Sequence, residues 1–504
     1  MTSSGENTAD HLLAQAAPGD IALVEGQFRH TYADLGRAAG RIAAELQLLQ
    51  LAPGSRVAIL GPNSLLWVAG YLAIMKLGHV AVPLSDKLTP DSVRRNADLV
   101  GCVAVVVDRR VLRRFPDVFA EPVAVVTDAV LLDEGTVYWP DPEPVDPDTD
   151  AVLMFTSGST AQPKAVRVTH RNIQANTASI VEYLGLRGDD RVLVILPFYY
   201  CYGASLLHTH LRAGGRIVLC NSFVFPETAL DQLEREECTV LAGVPSSFQL
   251  LLRAATFASR ELASLRIIQQ AGGKLPQVLV EELTAAQPNA RLFVMYGQTE
   301  ATARLSYLPP ERLWEKQGSI GRGIPGVTLS VLGEDWQPVA PGQPGEIYAR
   351  GASVTAGYYG DPVGTAEKYT EHGLRTGDIA VLDDEGFIYL VDRRDDFIKS
   401  WGYRVSSQEI EACVLRMDRL VSAAAVGVSD HEAGEAICLF VVGRPGEQVS
   451  EADVLAFCRS QLSAHMVPRS VIVVSALPLT ANGKVAKPRL RELASASTPE
   501  GAHA

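Results

Sequence analysis

The stretch "AVLMFTSGSTAQPKA", from Ala151 to Ala165, places an apolar strand directly before a loop of small and hydroxyl-bearing residues. Such a loop can direct several backbone N–H groups and hydroxyls at one anion. Lys164 adds a positive charge on a flexible stem, which suits a polyphosphate. The spacing is not that of a Walker sequence. By itself the segment therefore predicts either a phosphate-binding loop or a solvated surface loop.

The whole chain sets limits on what such a loop could serve. Its 504 residues exceed what one hydrophobic core supports, so two or more domains are expected. The net charge of −13, from 45 Lys and Arg against 58 Asp and Glu, disfavours nucleic acid and anionic membranes as partners. Any anionic ligand must therefore be held by a local positive site.

Leader and membrane signals are not visible in the sequence. The first ten residues have no basic or apolar leader, and the longest apolar run, Leu65 to Met75, is too short to span a bilayer. The 7 cysteines form no CxxC pair and are expected to be reduced core thiols. We therefore expect a cytoplasmic protein without membrane insertion and without a zinc site.

The pattern of the first 300 residues is that of an α/β protein. Short, continuous apolar strands alternate with helical segments from residue 20 to 135, and again from 150 to about 300. Continuous apolar strands are typical of parallel sheets that are buried on both faces. Ser64 supplies a start signal for a buried helix that runs to Lys76.

The character of the sequence changes after Gly318. Turn-rich segments with short alternating strands predict a small antiparallel sheet or barrel, and Val381 to Arg394 reads as a hairpin. From Asp395 to about Arg491 a small α+β unit follows, with helical patterns over Glu409 to Met417 and Ser450 to Leu462. The predicted fold class is α/β: two parallel-type βαβ sheet subdomains, a small barrel-like subdomain and a small α+β C-terminal domain.

Four further segments follow the first loop in a particular order. They are "YGQTE" (Tyr296 to Glu300), "LRTGD" (Leu374 to Asp378), "DRRDDFIKSWGYRVSSQEIE" (Asp392 to Glu411) and "PLTANGK" (Pro478 to Lys484). Together with the first loop, this set closely resembles the adenylate-forming superfamily, over roughly residues 10 to 492. That superfamily includes acyl-CoA and aryl-CoA synthetases, adenylation domains of peptide synthetases, and luciferases.

The resemblance implies a two-step acid–thiol ligase. A carboxylate would attack the α-phosphate of ATP to give an acyl adenylate and pyrophosphate. The thiol of coenzyme A or of a carrier-protein phosphopantetheine would then displace AMP. Donors and cations must offset the repulsion between the two anions in the first step.

The resemblance also implies which residues bind the nucleotide. Those residues are Thr156, Ser157, Gly158, Ser159, Thr160, Lys164, Gly272, Gly273, Tyr296, Gly297, Asp378 and Arg393. The first loop with Lys164 would cradle the β- and γ-phosphates, and Tyr296 would lie against adenine. Asp378 would accept hydrogen bonds from both ribose hydroxyls, and Arg393 would support the ribose and phosphate. The alternatives are an ordinary core aromatic for Tyr296 and a turn-capping carboxylate for Asp378.

Three residues are implied in catalysis: Thr299, Glu300 and Lys484. Thr299 would donate to the α-phosphate, and Glu300 would bind Mg²⁺, which needs oxygen ligands and sits among phosphates. Lys484 would bridge the carboxylate and the α-phosphate oxygens, which meet only in the transition state. Otherwise Lys484 is a solvated turn residue after Asn482 and Gly483.

For the second step the resemblance implies a rotation of a mobile C-terminal domain. The hinge maps onto Asp395, which divides the chain into a large domain, 1–394, and a small domain, 395–504. Gly402 would line the pantetheine tunnel, because a Cβ would obstruct it; otherwise it is a turn glycine. No insertion that would hinder rotation is visible between Asp378 and Lys399, which favours a complete two-step ligase.

Two departures from the family pattern concern glycines. Ala161 and Ala165 stand where the family loop usually carries glycine, and Asp392 opens the linker where glycine is common. Alanine keeps its N–H but disfavours positive φ, so loop flexibility is in question rather than phosphate binding.

The acyl pocket is expected to include Tyr200, Cys201, Gly203, Ala271 and Gln298. Members that activate α-amino acids place an acidic side chain near Cys201, but Pro197 to Arg212 contains no Asp or Glu. A buried ammonium without a counter-charge would cost several kcal/mol, by order of magnitude. We therefore predict an acid without an α-amine. Aromatic residues suggest an apolar wall, and aryl, fatty and polycyclic acids all fit.

Two other functions are compatible with this pattern. The chain could be a stand-alone amino-acid adenylation enzyme that loads a carrier protein, or a degenerate, noncatalytic member. The presence of Lys164, Glu300, Asp378, Arg393 and Lys484 argues against degeneracy. Coenzyme A and an acyl carrier protein remain alternative thiol partners, and the sequence predicts no oligomeric state.

Overall fold

The computed structural model describes residues 5–115, 118–119, 123–133, 139–141, 144–156, 163–223, 225–393, 397–430, 433–444, 446–480 and 484–497. The side chains of residues 392, 393, 404, 496 and 497 lie outside this description.

The strands are β1 (Ile21–Glu25), β2 (Phe28–Thr31), β3 (Arg56–Leu60), β4 (Val80–Leu84), β5 (Ala104–Val107), β6 (Ala124–Thr127), β7 (Asp150–Phe155), β8 (Ala165–Thr169), β9 (Arg191–Val194), β10 (Arg216–Leu219), β11 (Val240–Gly243), β12 (Ile267–Gln270), β13 (Arg291–Tyr296), β14 (Ser306–Leu308), β15 (Ser319–Gly323), β16 (Val327–Leu332), β17 (Gly345–Gly351), β18 (Tyr369–Thr370), β19 (Gly373–Leu382), β20 (Ile388–Arg393), β21 (Ile398–Ser400), β22 (Tyr403–Val405), β23 (Leu420–Asp430), β24 (Gly434–Gly443) and β25 (Ser470–Val473). The helices are α1 (Thr8–Leu13), α2 (Tyr32–Leu48), α3 (Leu65–Lys76), α4 (Pro90–Val100), α5 (Arg109–Leu112), α6 (His170–Leu184), α7 (Cys201–Ala213), α8 (Pro226–Arg235), α9 (Pro245–Ala254), α10 (Gln277–Ala286), α11 (Pro362–Lys368), α12 (Ser407–Val414), α13 (Glu451–Gln461) and α14 (Lys487–Ser497).

The first sheet has six strands in the order β6-β5-β3-β4-β7-β8. All neighbours are parallel except β7 and β8, which form an antiparallel pair across the loop quoted above. Helix α3 begins at the predicted residue, because the Ser64 side chain accepts from the N–H of Trp67 at 3.2 Å. Every residue from Leu66 to Lys76 is buried, as expected for a helix between two sheets.

The second sheet begins as a parallel sheet and continues as an antiparallel one. Strands β10, β9, β11, β12 and β13 follow one another in this order and are parallel to each other. From β13 onward the order is β14-β15-β20-β19-β17-β16, and these pairs are antiparallel.

The prediction of a barrel-like subdomain is wrong in one respect, because the antiparallel strands form an open extension and no closed barrel. Strand β14 hydrogen-bonds to β13 and β15 hydrogen-bonds to β14, so the antiparallel strands extend an existing sheet. Gly321 makes this pairing possible, since it has a φ of +79° and a Cβ there would lie 1.7 Å from the Tyr307 carbonyl oxygen. The hairpin predicted at residues 381–394 is β19 and β20.

Residues from Ile398 onward form a separate small sheet, β22-β21-β24-β23, with β25 parallel to β24. Helices α12 and α13 pack on one face around a core of their own that contains Ile410, Leu439 and Val454. Helix α14 packs on the other face, with Leu490 buried against Phe440. The α+β pattern predicted for this part of the chain is thus confirmed.

The small sheet rests on helix α9 of the large part of the chain. The guanidinium of Arg253 is buried there; its Nη1 donates to the Leu420 carbonyl oxygen at 2.7 Å, and its Nη2 lies 2.5 Å from Glu282 Oε1. This contact fixes the position of β23 relative to α9.

Candidate active site

Several of the predicted residues lie just beyond the carboxyl ends of parallel strands. Gly272 and Gly273 follow β12, and the segment from Gly297 to Glu300 follows β13. Ligands of α/β sheets bind in the crevice at this edge. The parallel order of β11, β12 and β13 therefore brings these segments together.

Lys164 and Glu300 both contact Tyr358, a residue that the sequence analysis did not single out. The ammonium of Lys164 lies 4.7 Å from the centre of the Tyr358 ring and 3.3 Å from Asp361 Oδ2. The Tyr358 hydroxyl donates to Glu300 Oε1 at 2.7 Å. The signal in the sequence is the turn "GYYGDP", Gly357 to Pro362, which precedes helix α11.

The Glu300 carboxylate is held by one oxygen only. Thr355 fixes its backbone by donating to the carbonyl oxygen of Glu300 from both N and Oγ1. Oε2 accepts no hydrogen bond from the described residues. No cluster of three or more His, Cys, Asp or Glu occurs in the described ranges, so a cation here would need oxygens from its substrate. One anchored carboxylate suits a Mg²⁺ ion that is shared with phosphates.

Tyr296 and Asp378 meet where β13 and β19 approach each other. The Tyr296 hydroxyl donates to Asp378 Oδ2 at 2.5 Å, and both side chains are buried. The Asp378 N–H donates to Thr376 Oγ1 at 3.2 Å. Asp378 pairs in register with Arg393 of β20, whose backbone alone is described. The hydrogen bond orients a carboxylate that is predicted to bind ribose.

Lys484 reaches the start of helix α7 from the small part of the chain. Its ammonium lies 5.6 Å from the centre of the Tyr200 ring. A Cβ at Gly272 would lie 3.6 Å from Lys484 Cε and 3.2 Å from the Tyr200 hydroxyl. Gly272 has a φ of +86°, so glycine is favoured there for its backbone as well as for space. Lys484, Tyr200 and Gly272 therefore enclose one small region between the two parts of the chain.

Next to this region lies the buried thiol of Cys201. The Thr299 hydroxyl donates to Cys201 Sγ at 3.4 Å. Burial raises the pKa of Cys201, and the Thr299 hydrogen bond and the charge of Lys484 offset part of the rise. The thiol is thus neutral at physiological pH. It forms part of the lining of this region and does not act as a nucleophile.

Arg304 lies behind this lining, against Tyr202, and was not predicted as a site residue. It is 2% exposed, and its Cζ lies 4.0 Å from the centre of the Tyr202 ring. Tyr202 in turn donates to the Gln269 carbonyl oxygen at 2.8 Å. A charged residue within the run "ATARLSYL" was the available signal in the sequence.

Several predicted site glycines have structural reasons of their own. A Cβ at Gly203 would lie 2.1 Å from the Pro197 carbonyl oxygen, and one at Gly297 would lie 1.8 Å from that of Ala303. At Gly273 it would meet Pro245 Cγ at 3.2 Å. Gly402 has a φ of +78° with open space around it, as in a turn. The ligand roles of these four glycines stay predictions.

Some predicted residues fall outside this geometry. The N–H of Thr156 donates to the Lys164 carbonyl oxygen at 3.0 Å and closes the base of the first loop. Ser157, Gly158, Ser159, Thr160 and Asp395 lie outside the described residues. Ala271 is buried directly after β12, and Gln298 is half-buried with Nε2 lacking a partner among the described atoms.

Two remaining observations concern the cysteines and the helices. All 7 cysteines are buried and free of disulfides. Within the described ranges, no helix combines the length and apolarity that a membrane crossing requires.

The α/β fold brings the residues predicted to bind phosphate and ribose, and Lys484, to one crevice, as expected of a nucleotide-dependent enzyme. The family model described as "AMP-binding enzyme" matches residues 12–359, and the "AMP-binding enzyme C-terminal domain" matches 409–484. The chain belongs to this family of AMP-binding enzymes, which confirms the resemblance to the adenylate-forming superfamily.

Individual relatives narrow the reaction class. The chain is 32% identical to a feruloyl-CoA synthase from Amycolatopsis sp, covering 95% of this chain and 96% of the relative. It is 31% identical to a Rhodococcus jostii CoA ligase for a methyl-dioxo-octahydroindenyl propanoyl group, covering 94% and 95%.

The fold likewise matches o-succinylbenzoate CoA synthetase from Bacillus subtilis in complex with its acyl adenylate. The TM-score is 0.84 at 28% identity, over 97% of this chain and 98% of that one. The protein is an AMP-forming ligase of the acyl-CoA synthetase type.

Proposed function

We propose that this ligase joins a carboxylic acid without an α-amine to coenzyme A through an acyl adenylate. The observation that carries the proposal is the position of Lys484. The small part of the chain brings its ammonium to Tyr200 and Gly272, at the entrance of the space bounded by Cys201 and Tyr202. A positive charge at that place would stabilise two oxygens that approach each other only in the transition state.

The triphosphate would bind beside Lys164 and the first loop. Lys164 would exchange its partner Asp361, to which it is bound at 3.3 Å, for the β- and γ-phosphates, assisted by Thr156 and residues 157–160. Glu300 would hold Mg²⁺ with Oε2 while Tyr358 anchors Oε1. When bound, Mg²⁺ would neutralise phosphate charge.

The nucleoside would bind between β13 and β19. Asp378, oriented by the Tyr296 hydroxyl, would accept from the ribose, and Arg393 would support it from β20. The Tyr296 ring would lie along the adenine. Gly272, Gly273 and Gly297 would let the backbone approach the nucleotide closely.

The acid would enter between α7 and the ends of β12 and β13. Thr299 would donate to the α-phosphate oxygen and Lys484 would neutralise the incoming carboxylate. The stretch from Pro197 to Arg212 has no acidic residue, and Arg304 adds a positive charge nearby, so an ammonium would meet repulsion instead of a partner. An acid without an α-amine is therefore favoured over an amino acid.

The second step would exchange Lys484 for the thiol. Rotation at Asp395 would withdraw Lys484 and bring the segment around Gly402 to the adenylate. The relatives named above are CoA ligases, which favours coenzyme A over a carrier protein as acceptor.

Pyrophosphate exchange tests the first step directly. With ATP, Mg²⁺ and labelled pyrophosphate, we expect exchange with ring-bearing and aliphatic acids and none above background with the twenty amino acids. Acids that support exchange are then offered coenzyme A or a phosphopantetheinylated carrier protein, with thioester measured by mass. Exchange with amino acids alone would overturn the proposal, and thioester on the carrier alone would exclude coenzyme A.

A further inference from the structure

Arg304 is a fully buried cation whose contacts are all neutral. Its Nε lies 3.4 Å from the Met295 sulfur, its Cζ stacks on the Tyr202 ring at 4.0 Å, and it interacts with the phenol of Tyr183. No carboxylate of the described ranges pairs with it, and its Nη2 lacks any partner there. A buried guanidinium without an anion is unfavourable, and such groups are normally paired in proteins.

A buried amide on β12 also lacks partners among the described residues. Gln269 is 1% exposed, and neither its Oε1 nor its Nε2 has a hydrogen-bond partner among the described atoms. Gln269 lies on the same face of β12 as Ile267, which belongs to the core cluster that contains Tyr202. The Tyr202 ring in turn faces Arg304. Unsatisfied buried polar atoms need an explanation, and a polar ligand is the simplest one.

Arg304 and Lys484 contact the two tyrosines that flank Cys201. Tyr200 and Tyr202 are successive aromatic residues on either side of Cys201, with Lys484 against the first ring and Arg304 against the second. Burial raises the pKa of the Cys201 thiol, and the charges of both Lys484 and Arg304 act to lower it. Cys201 therefore lies close enough to both cations for each charge to act on its thiol.

We propose that Arg304, with the Gln269 amide, recognises a second anionic group on the acid, so that the substrate is a dicarboxylate. One carboxylate lies at Lys484 and becomes the adenylate, and the other pairs with Arg304. This inference rests on the proposed function, since it assumes that the acid lies between α7 and the ends of β12 and β13. It makes Arg304 a specificity-determining residue.

The test compares matched acids in the wild type, Arg304→Met and Arg304→Lys. Pyrophosphate exchange is measured with malonic to adipic acids, the benzenedicarboxylic acids and the monomethyl ester of each. In the wild type we expect the best diacid to exceed its ester in kcat/KM by roughly 10- to 100-fold, the range for a hydrogen-bonded charge. Arg304→Met should remove that preference through KM, and Arg304→Lys should retain part of it.

Other results would contradict the proposed role of Arg304. A wild type that prefers monoesters or plain monoacids, with a selectivity that Arg304→Met leaves unchanged, would show that Arg304 only packs on Tyr202. If no acid supports exchange, the proposed function fails, and thermal stabilisation by the free diacids decides the inference separately. Stabilisation of the wild type but not of Arg304→Met would support it, and stabilisation of neither would overturn it. If Arg304→Met does not fold, Arg304→Gln takes its place.

Discussion

The phenol of Tyr358 connects two residues that the sequence had predicted to serve different parts of the triphosphate. Its ring faces the Lys164 ammonium and its hydroxyl binds Glu300. Burial and the Glu300 charge both raise the pKa of Tyr358, so the phenol remains a proton donor throughout the physiological range. Tyr358 thus positions a predicted metal ligand.

Replacing Tyr358 with Phe removes the hydrogen bond and keeps the ring. Glu300 is then free to rotate, and we expect the Mg²⁺ concentration for half-maximal pyrophosphate exchange to rise about tenfold, the usual weight of a hydrogen bond to a charged group. Titration of Mg²⁺ at saturating ATP measures the shift. Tyr359→Phe, at the neighbouring position, is the control and should leave it unchanged. An unchanged Mg²⁺ requirement in Tyr358→Phe would contradict the proposal that Tyr358 positions Glu300.

At this scale the roles of Lys164, Glu300, Asp378 and Lys484 stay predictions. These residues could be named because their charges stand in motifs that resemble those of the superfamily. Arg304 and Tyr358 could not, since their importance depends on burial and on neighbours that are distant in sequence. An arginine in an apolar run does not indicate whether it points to solvent or into a pocket.

Among the secondary-structure elements, the strands and helices followed their local signals closely. Helix α3 runs from Leu65 to Lys76 as predicted from Ser64, and α13 differs by one residue at each end from the predicted segment, Ser450 to Leu462. The barrel-like subdomain was wrong because strand pairing is a long-range property. Nothing within the segment after Gly318 shows that β15 pairs with β14, which in turn pairs with β13.

The contact between α9 and β23 gives a prediction for the elements. Arg253→Met removes the bond to the Leu420 carbonyl oxygen and leaves Glu282, which is 29% exposed, to water. This contact stabilises the arrangement that places Lys484 at Tyr200. We therefore expect pyrophosphate exchange in the variant to slow by roughly 3- to 10-fold, which corresponds to the free energy of one such hydrogen bond. Thioester formation from a supplied acyl adenylate should change less than twofold, by the same order-of-magnitude argument.

The matched control for this prediction is Arg260→Met. Arg260 also binds carboxylates, those of Glu227, Asp231 and Glu234, but none of these belongs to the small part of the chain. It should leave both half-reactions near the wild-type rate. If Arg253→Met slowed the two half-reactions equally, the contact would stabilise the protein in general and not the particular arrangement that places Lys484 at Tyr200.

On the scale of the whole molecule, we propose that the reaction requires two parts of the chain to cooperate. In this proposal the large part supplies Lys164, Glu300 and Asp378, while the small part supplies Lys484 across the junction. The resemblance to the superfamily implied this division, with a boundary at residues 394 and 395. That boundary remains a prediction, as does the rotation about Asp395.

The most direct test separates the two half-reactions in Lys484→Ala. We propose that the charge of Lys484 is needed only when the carboxylate meets the α-phosphate, so pyrophosphate exchange should fall by about 100-fold or more. Thioester formation from purified acyl adenylate and coenzyme A should remain within about threefold of wild type. Arg171→Ala, which removes an exposed charge paired with Asp148, is the control. The account predicts loss of the first half-reaction alone; an equal loss of both, or of neither, would contradict it.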